Sequence, residues 1–162
     1  MKKVLTLLCA AAALLSVYAE EDVLQETVFA DPTSYHSPSV AKNVKTFREL
    51  KVYNTQNYPM LSLPVSDYDG QSEVNVTIRA ARDNSMPAKL GLICQVRDGK
   101  TKKMLNSDMQ IKNVTEDFAD YKFKVNPGKI SADCKKFRLM IYTVAKKGNI
   151  YLEKITVSVP EK

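Results

Sequence analysis

Few side chains in this sequence are of the kinds that carry chemistry, and their spacing limits what that chemistry is. His36 is the sole imidazole, and an imidazole can shuttle protons or hold a metal. It stands in the run Asp31-Pro32-Thr33-Ser34-Tyr35-His36-Ser37-Pro38-Ser39 with no Gly-x-Ser-x-Gly elbow and no Cys/His arrangement beside it, so it reads as a surface loop residue. Carboxylates come in groups at Asp67 with Asp69 and at Glu116 with Asp117 and Asp120. Acid–base work across a glycosidic bond needs two carboxyl groups roughly 5 to 10 Å apart. These groups fall at turns and strand starts, where solvated charge is the better account. Cys94 and Cys134 have no metal-ligand spacing, and the chain is read as non-enzymatic.

The first residues constrain where any such chemistry happens. MKKVLTLLCAAAALLSVYA places two lysines before an apolar run and ends on Val17-Tyr18-Ala19, the pattern of a signal peptide spanning 1–19 and cut after Ala19. The run is too short to span a bilayer, and nothing later in the sequence is long and apolar enough. Cys9 follows Leu8 inside the apolar run, which argues against a lipid anchor. The short, lysine-led leader points to a bacterial protein that is secreted or periplasmic. In such an oxidising compartment the two remaining cysteines, Cys94 and Cys134, permit one disulfide; the other reading makes Cys94 a small buried hydrophobe on a strand.

The sequence has 162 residues, 24 Lys plus Arg against 18 Asp plus Glu, and 44% apolar residues, enough to bury one real core. Removing the leader with Lys2 and Lys3 lowers the formal +6 by two. The lysines cluster at turns such as Asp98-Gly99-Lys100-Thr101-Lys102-Lys103 and Lys146-Lys147-Gly148-Asn149 rather than in a stripe interleaved with aromatics, so a nucleic-acid partner is excluded.

The elements that must position these residues are strands. Eight segments have period-two alternation or β-branched content: 46–53, 58–63, 73–82, 89–98, 107–113, 117–125, 136–145 and 149–159. The clearest alternates Val74, Val76, Ile78 and Ala80 with Glu73, Asn75, Thr77 and Arg79. Asp69-Gly70, Asp98-Gly99, Pro127-Gly128 and Gly148-Asn149 supply chain reversals. Residues 20–45 make an N-terminal edge strand, Val23 to Phe29, and the Pro/Ser-rich loop; residues 46–162 make the main domain. The fold class is all-β, a two-sheet antiparallel β-sandwich.

The order EVNVTIRAAR, KLGLICQVRD, a short strand, DFADYKFKV, FRLMIYTV and a closing segment with Tyr151, Glu153, Ile155 and Val157 resembles the jelly rolls of carbohydrate-binding modules and galactose-binding-like domains. The resemblance covers residues 45 to 159. It departs from that family in having Glu153 where Asp is usual, in lacking Trp, and in echoing the N-terminal segment only at Gln25 to Phe29. It implies that the sheet of 58–63, 136–145, 89–98 and 107–113 forms a concave ligand face. Alternation then turns Gln95, Arg97, Arg138, Met140 and Tyr142 outward, joined by Tyr58 and Gln110. Tyr58, Gln95, Arg97, Arg138 and Tyr142 are the candidate ligand-binding residues: amide and guanidinium donors for hydroxyls or carboxylates, and phenol rings for sugar faces. The resemblance also allows one cofactor, a structural calcium on Glu26 and Glu153; the alternative for Glu153 is an edge carboxylate bonded to a lysine or to backbone N–H groups. The function implied is a non-catalytic module recognising a glycan or polysaccharide. The alternative is a secreted or envelope-associated sandwich that docks a protein partner.

Overall fold

Strict alternation of apolar and polar residues leaves each strand one buried face, and two such faces must close on each other. The computed structural model describes residues 21–55, 60–84, 86–144 and 148–160. In chain order its strands are β1 (Glu21–Val28), β2 (Val44–Phe47), β3 (Leu50–Asn54), β4 (Leu61–Val65), β5 (Val74–Arg82) and β6 (Ala88–Arg97). They continue as β7 (Met104–Asn106), β8 (Gln110–Val114), β9 (Ala119–Val125), β10 (Phe137–Thr143) and β11 (Ile150–Pro160), with a one-turn helix α1 (Pro127–Ile130) between β9 and β10.

The strands form two antiparallel sheets, ordered β2-β3-β11-β5-β9 and β4-β10-β6-β7. The long β11 pairs β3 through Tyr151 and Leu152 and pairs β1 through its C-terminal half, while β8 pairs the N-terminal half of β6. This is the all-β two-sheet sandwich that the alternation implies. Val74, Val76, Ile78 and Ala80 of β5, with Leu152, Ile155 and Val157 of β11, face Leu90, Leu92, Cys94 and Val96 of β6 and Phe137, Leu139 and Ile141 of β10; all are buried. Each large aliphatic side chain so buried contributes about 1.5–3 kcal/mol. Pro64 sits exposed in β4, an edge strand, where a missing N–H costs no ladder bond.

The structure differs from the sequence reading in three places. Residues 46–53 are not one strand but the hairpin β2–β3, because Arg48 (φ 47°) and Glu49 (φ 69°) take up the left-handed region and reverse the chain without a glycine. The short β7, which pairs Arg97 with Met104, follows the lysine-rich turn at 98–103 and lies outside the eight segments read as strands. Pro127 and Gly128 open α1, which Asn126 caps by accepting from the Lys129 N–H at 3.1 Å.

The outward face of the β11 sheet is closed upon itself electrostatically. A bulge at Leu152/Lys154 turns two successive residues outward. Glu153 accepts from Arg79 Nε at 2.9 Å, Arg79 also approaches Asp120 at 3.5 Å, and Lys154 pairs with Glu26 at 2.5 Å. Lys124 pairs with Glu73 at 2.6 Å, and Asn75 donates to Glu21 at 2.8 Å. Each such exposed pair adds little stability, but together they leave this face few unmatched charges.

Candidate binding trough

The register of the second sheet brings the outward residues into rows. Arg138 stands between Pro64 on β4 and Gln95 on β6, and Gln95 stands beside Asn106 on β7. Cβ atoms of such opposed residues lie about 5 Å apart. One step along, Phe137 opposes Val96; beyond them Arg97 is opposite Met104, and Lys136, the residue before β10, lines the same hollow. These rows floor a trough of about 680 Å³ that crosses the sheet near one end. Its far wall comes from the other sheet and the N-terminal loop: Leu24 and Gln25, beside a register shift in β1, and His36.

The loop is held in place locally. Asp31 Oδ1 accepts from the Thr33 N–H at 2.9 Å, Ser34 Oγ accepts from the Val28 N–H at 2.9 Å, and Tyr35 donates to the Phe29 carbonyl at 2.7 Å. These contacts lay His36 against β4 and Arg138. Burial, and then the Arg138 guanidinium, hold the His36 imidazole below its usual pKa against a backbone hydrogen bond to Ser62 that favours the proton. Its Nδ1 is buried with no partner among the described residues. His36 is therefore a wall of the trough, not the surface residue that its loop position suggested. A second hollow of about 460 Å³ adjoins on the far side of His36 and Arg138, lined also by Lys42, Asn43 and Ser62.

Of the residues picked out from the sequence, Gln95, Arg97 and Arg138 converge in the trough. Tyr142 lies on the same strand as Arg138 but outside the trough lining; its ring packs over Gly91, and its hydroxyl meets the Met109 sulfur. A Cβ on Gly91 would stand 2.9 Å from Tyr142 Cζ and 3.0 Å from Val144 Cγ2. Gly91→Ala is therefore expected to displace the Tyr142 ring while the sandwich still folds, at a cost of about 1–3 kcal/mol; a melting curve and tyrosine fluorescence check this, and unchanged values in both would contradict the packing. Tyr58 lies outside the described residues, as does the leader 1–19. Gln110 is turned away, donating to the Lys124 carbonyl at 2.6 Å.

Sequence reasoning missed Lys136, Met104, Ser66, Gln25 and His36. Lys136 was within reach, because it has the same strand parity as Arg138; Gln25 and His36 arrive through tertiary packing and leave no local signal.

The two carboxylates read as candidate calcium ligands are each engaged by a cation. Glu153 is held by Arg79 and Glu26 by Lys154, and no group of three or more His, Cys, Asp or Glu able to hold a metal occurs among the described residues. A donor set already neutralised by two cations does not fit a dication that needs six or more oxygens. Neither is the disulfide formed: Cys94 and Cys134 are buried free thiols. Burial, and then the neighbouring Cys134, push the Cys94 thiol up to about 12, and burial raises Cys134 as well. The grouped carboxylates are engaged separately: Asp69 Oδ1 accepts from the Gln71 and Ser72 N–H groups at 2.8 Å, Glu116 pairs with Arg82 at 2.9 Å, and Asp117 approaches Arg48 at 3.5 Å. No helix among the described residues is long and apolar enough to cross a membrane.

No protein-family model matches the sequence, and no curated protein matches it either. The fold has solved counterparts. The chain is similar to the CBM22-1 xylan-binding domain from Paenibacillus barcinonensis Xyn10C, with a TM-score of 0.64 at 15% identity, covering 88% of this chain and 97% of that one. It is also similar to the CBM22-1 and GH10 modules of the Clostridium thermocellum endo-1,4-beta-D-xylanase 10B, solved with xylohexaose, with a TM-score of 0.61 at 10% identity. That match covers 88% of this chain but 29% of the larger protein. The jelly-roll sandwich of carbohydrate-binding modules is thus the fold of this chain.

Proposed function

We propose that this sandwich is a secreted, non-catalytic module that binds a glycan in the trough of the β4-β10-β6-β7 sheet. The observation that carries the reading is the convergence of Gln95, Arg97 and Arg138 on one preformed hollow floored by rigid strands. Side chains placed on paired strands lose little freedom on binding, which favours hydroxyl recognition by amide and guanidinium donors. The similarity to a domain described as xylan-binding supports the same reading. Tyr142 extends the face along β10 as a place for a sugar ring to rest.

The test is affinity gel electrophoresis of the mature chain through a panel of soluble polysaccharides. At least one is expected to retard it, and Arg138→Ala with Tyr142→Ala should abolish the retardation while the melting temperature stays within a few degrees. No retardation by any polysaccharide, or full retardation of the double variant, would end this reading.

A second reading has its own observation. Met104, Met109 and Ile111 are 41%, 45% and 43% exposed along the β7–β8 side of the same sheet, an apolar margin suited to a protein partner in the envelope. That reading predicts co-purification of one protein, lost in Met109→Ser with Ile111→Ser, and no glycan affinity.

A further inference from the structure

Of the chain's five arginines, three are matched to acids: Arg48 to Asp117, Arg79 to Glu153 and Asp120, Arg82 to Glu116. The other two, Arg97 and Arg138, both lie in the trough, and neither they nor Lys136 has a carboxylate partner among the described residues. No aspartate or glutamate is among the described residues lining the trough or the hollow that adjoins it across His36. Lys136, the residue before β10, and Arg97, at the end of β6, both line the trough, so like charges share it with no acid in the described lining supplying negative charge to offset them. On the opposite face of the same molecule the fold supplies that charge itself; here it does not.

We infer that the trough is built for an acidic glycan, one whose sugar units carry carboxylates that seat between Arg138, Lys136 and Arg97. This inference rests on the glycan reading and narrows its ligand class. The planar guanidinium fork matches a carboxylate in bidentate fashion, and Gln95, opposite Arg138, is left to take a neighbouring hydroxyl. A carboxylate there also removes the repulsion that Arg138 exerts on His36. Among the described residues, the charged groups lining the two hollows beside that ring are Arg138 from β10, Lys136 just before that strand, Arg97 from β6 and Lys42 from the loop.

The experiment compares pectate, alginate and glucuronoxylan with the same three polysaccharides after their carboxyl groups have been reduced to alcohols. Affinity electrophoresis of the mature chain is run at low and high salt. At least one acidic polymer is expected to bind about tenfold or more tightly than its reduced counterpart, the scale of a charge-assisted contact. The margin should shrink with salt and vanish in Arg138→Gln with Lys136→Gln, whose melting temperature is not lowered. Equal binding of acidic and reduced forms overturns the charge assignment and leaves the glycan reading standing, whereas no binding of either form overturns both. Retardation by dextran sulfate alone also overturns the carboxylate assignment. The single histidine gives an independent readout by NMR: a saturating acidic oligomer should raise the His36 pKa, and an unmoved value would place the carboxylate elsewhere.

Discussion

At pH 8 the native chain leaves Cys94 unalkylated by iodoacetamide over a time in which the urea-unfolded chain reacts to completion. The thiolate is the reactive species. Moving the pKa from 9.0 to about 12 lowers the thiolate fraction by about a thousandfold at that pH before access is considered. The same shift sets a dependence of stability on pH. Below pH 9 both folded and unfolded chains hold the proton and the full contribution is present. Between pH 9 and about 12 the unfolded chain releases its proton while the folded one keeps it, so stability falls as pH rises, by up to about 4 kcal/mol from this one group. Urea unfolding of the native sequence and of Cys94→Ala at pH 7, 9 and 10.5 isolates the effect from the lysines and tyrosines that titrate nearby in pH. A difference between the two proteins that stays constant across that range would show that the sulfur is not buried as described.

Leu139→Ala is expected to remove about 3–5 kcal/mol of stability, near the upper end for a buried leucine. Leu139 is fully buried at the middle of β10, directly between Leu63 on β4 and Cys94 on β6, so the vacated volume is walled by paired strands that have no room to collapse. Its neighbour Met140 is on the opposite face of the same strand, between Ser62 and Ile93, and Met140→Ala should cost under about 1 kcal/mol. Equal losses for the two, measured by thermal or urea unfolding, would mean that the in/out parity of β10 is wrong, and with it the trough.

That parity is the part of the molecule most legible in the sequence. Leu90, Leu92, Cys94 and Val96 share one parity, as do Phe137, Leu139 and Ile141, and the opposite assignment of either strand would bury Arg97 or Arg138. The hairpin at Arg48-Glu49 was not legible, because left-handed backbone is signalled by glycine or asparagine and here two long charged residues adopt it. The trough was half legible. Its floor follows from alternation once the strands are paired, whereas Leu24, Gln25 and His36 reach it only because β1 pairs with the last strand and the loop beyond is pinned by Ser34 and Tyr35. The ion pairs that occupy Glu26 and Glu153 depend on a bulge that nothing local announces.

The uneven distribution of matched charge makes the sandwich electrically two-sided. Among the described residues, one broad surface is an alternating mosaic whose field decays within a few ångströms, while the other concentrates unbalanced positive charge in a hollow with low-dielectric walls. A molecule of this kind drifting toward a negatively charged polymer feels a torque before it touches anything, so encounters begin already oriented and dilute salt weakens the arrival more than the grip.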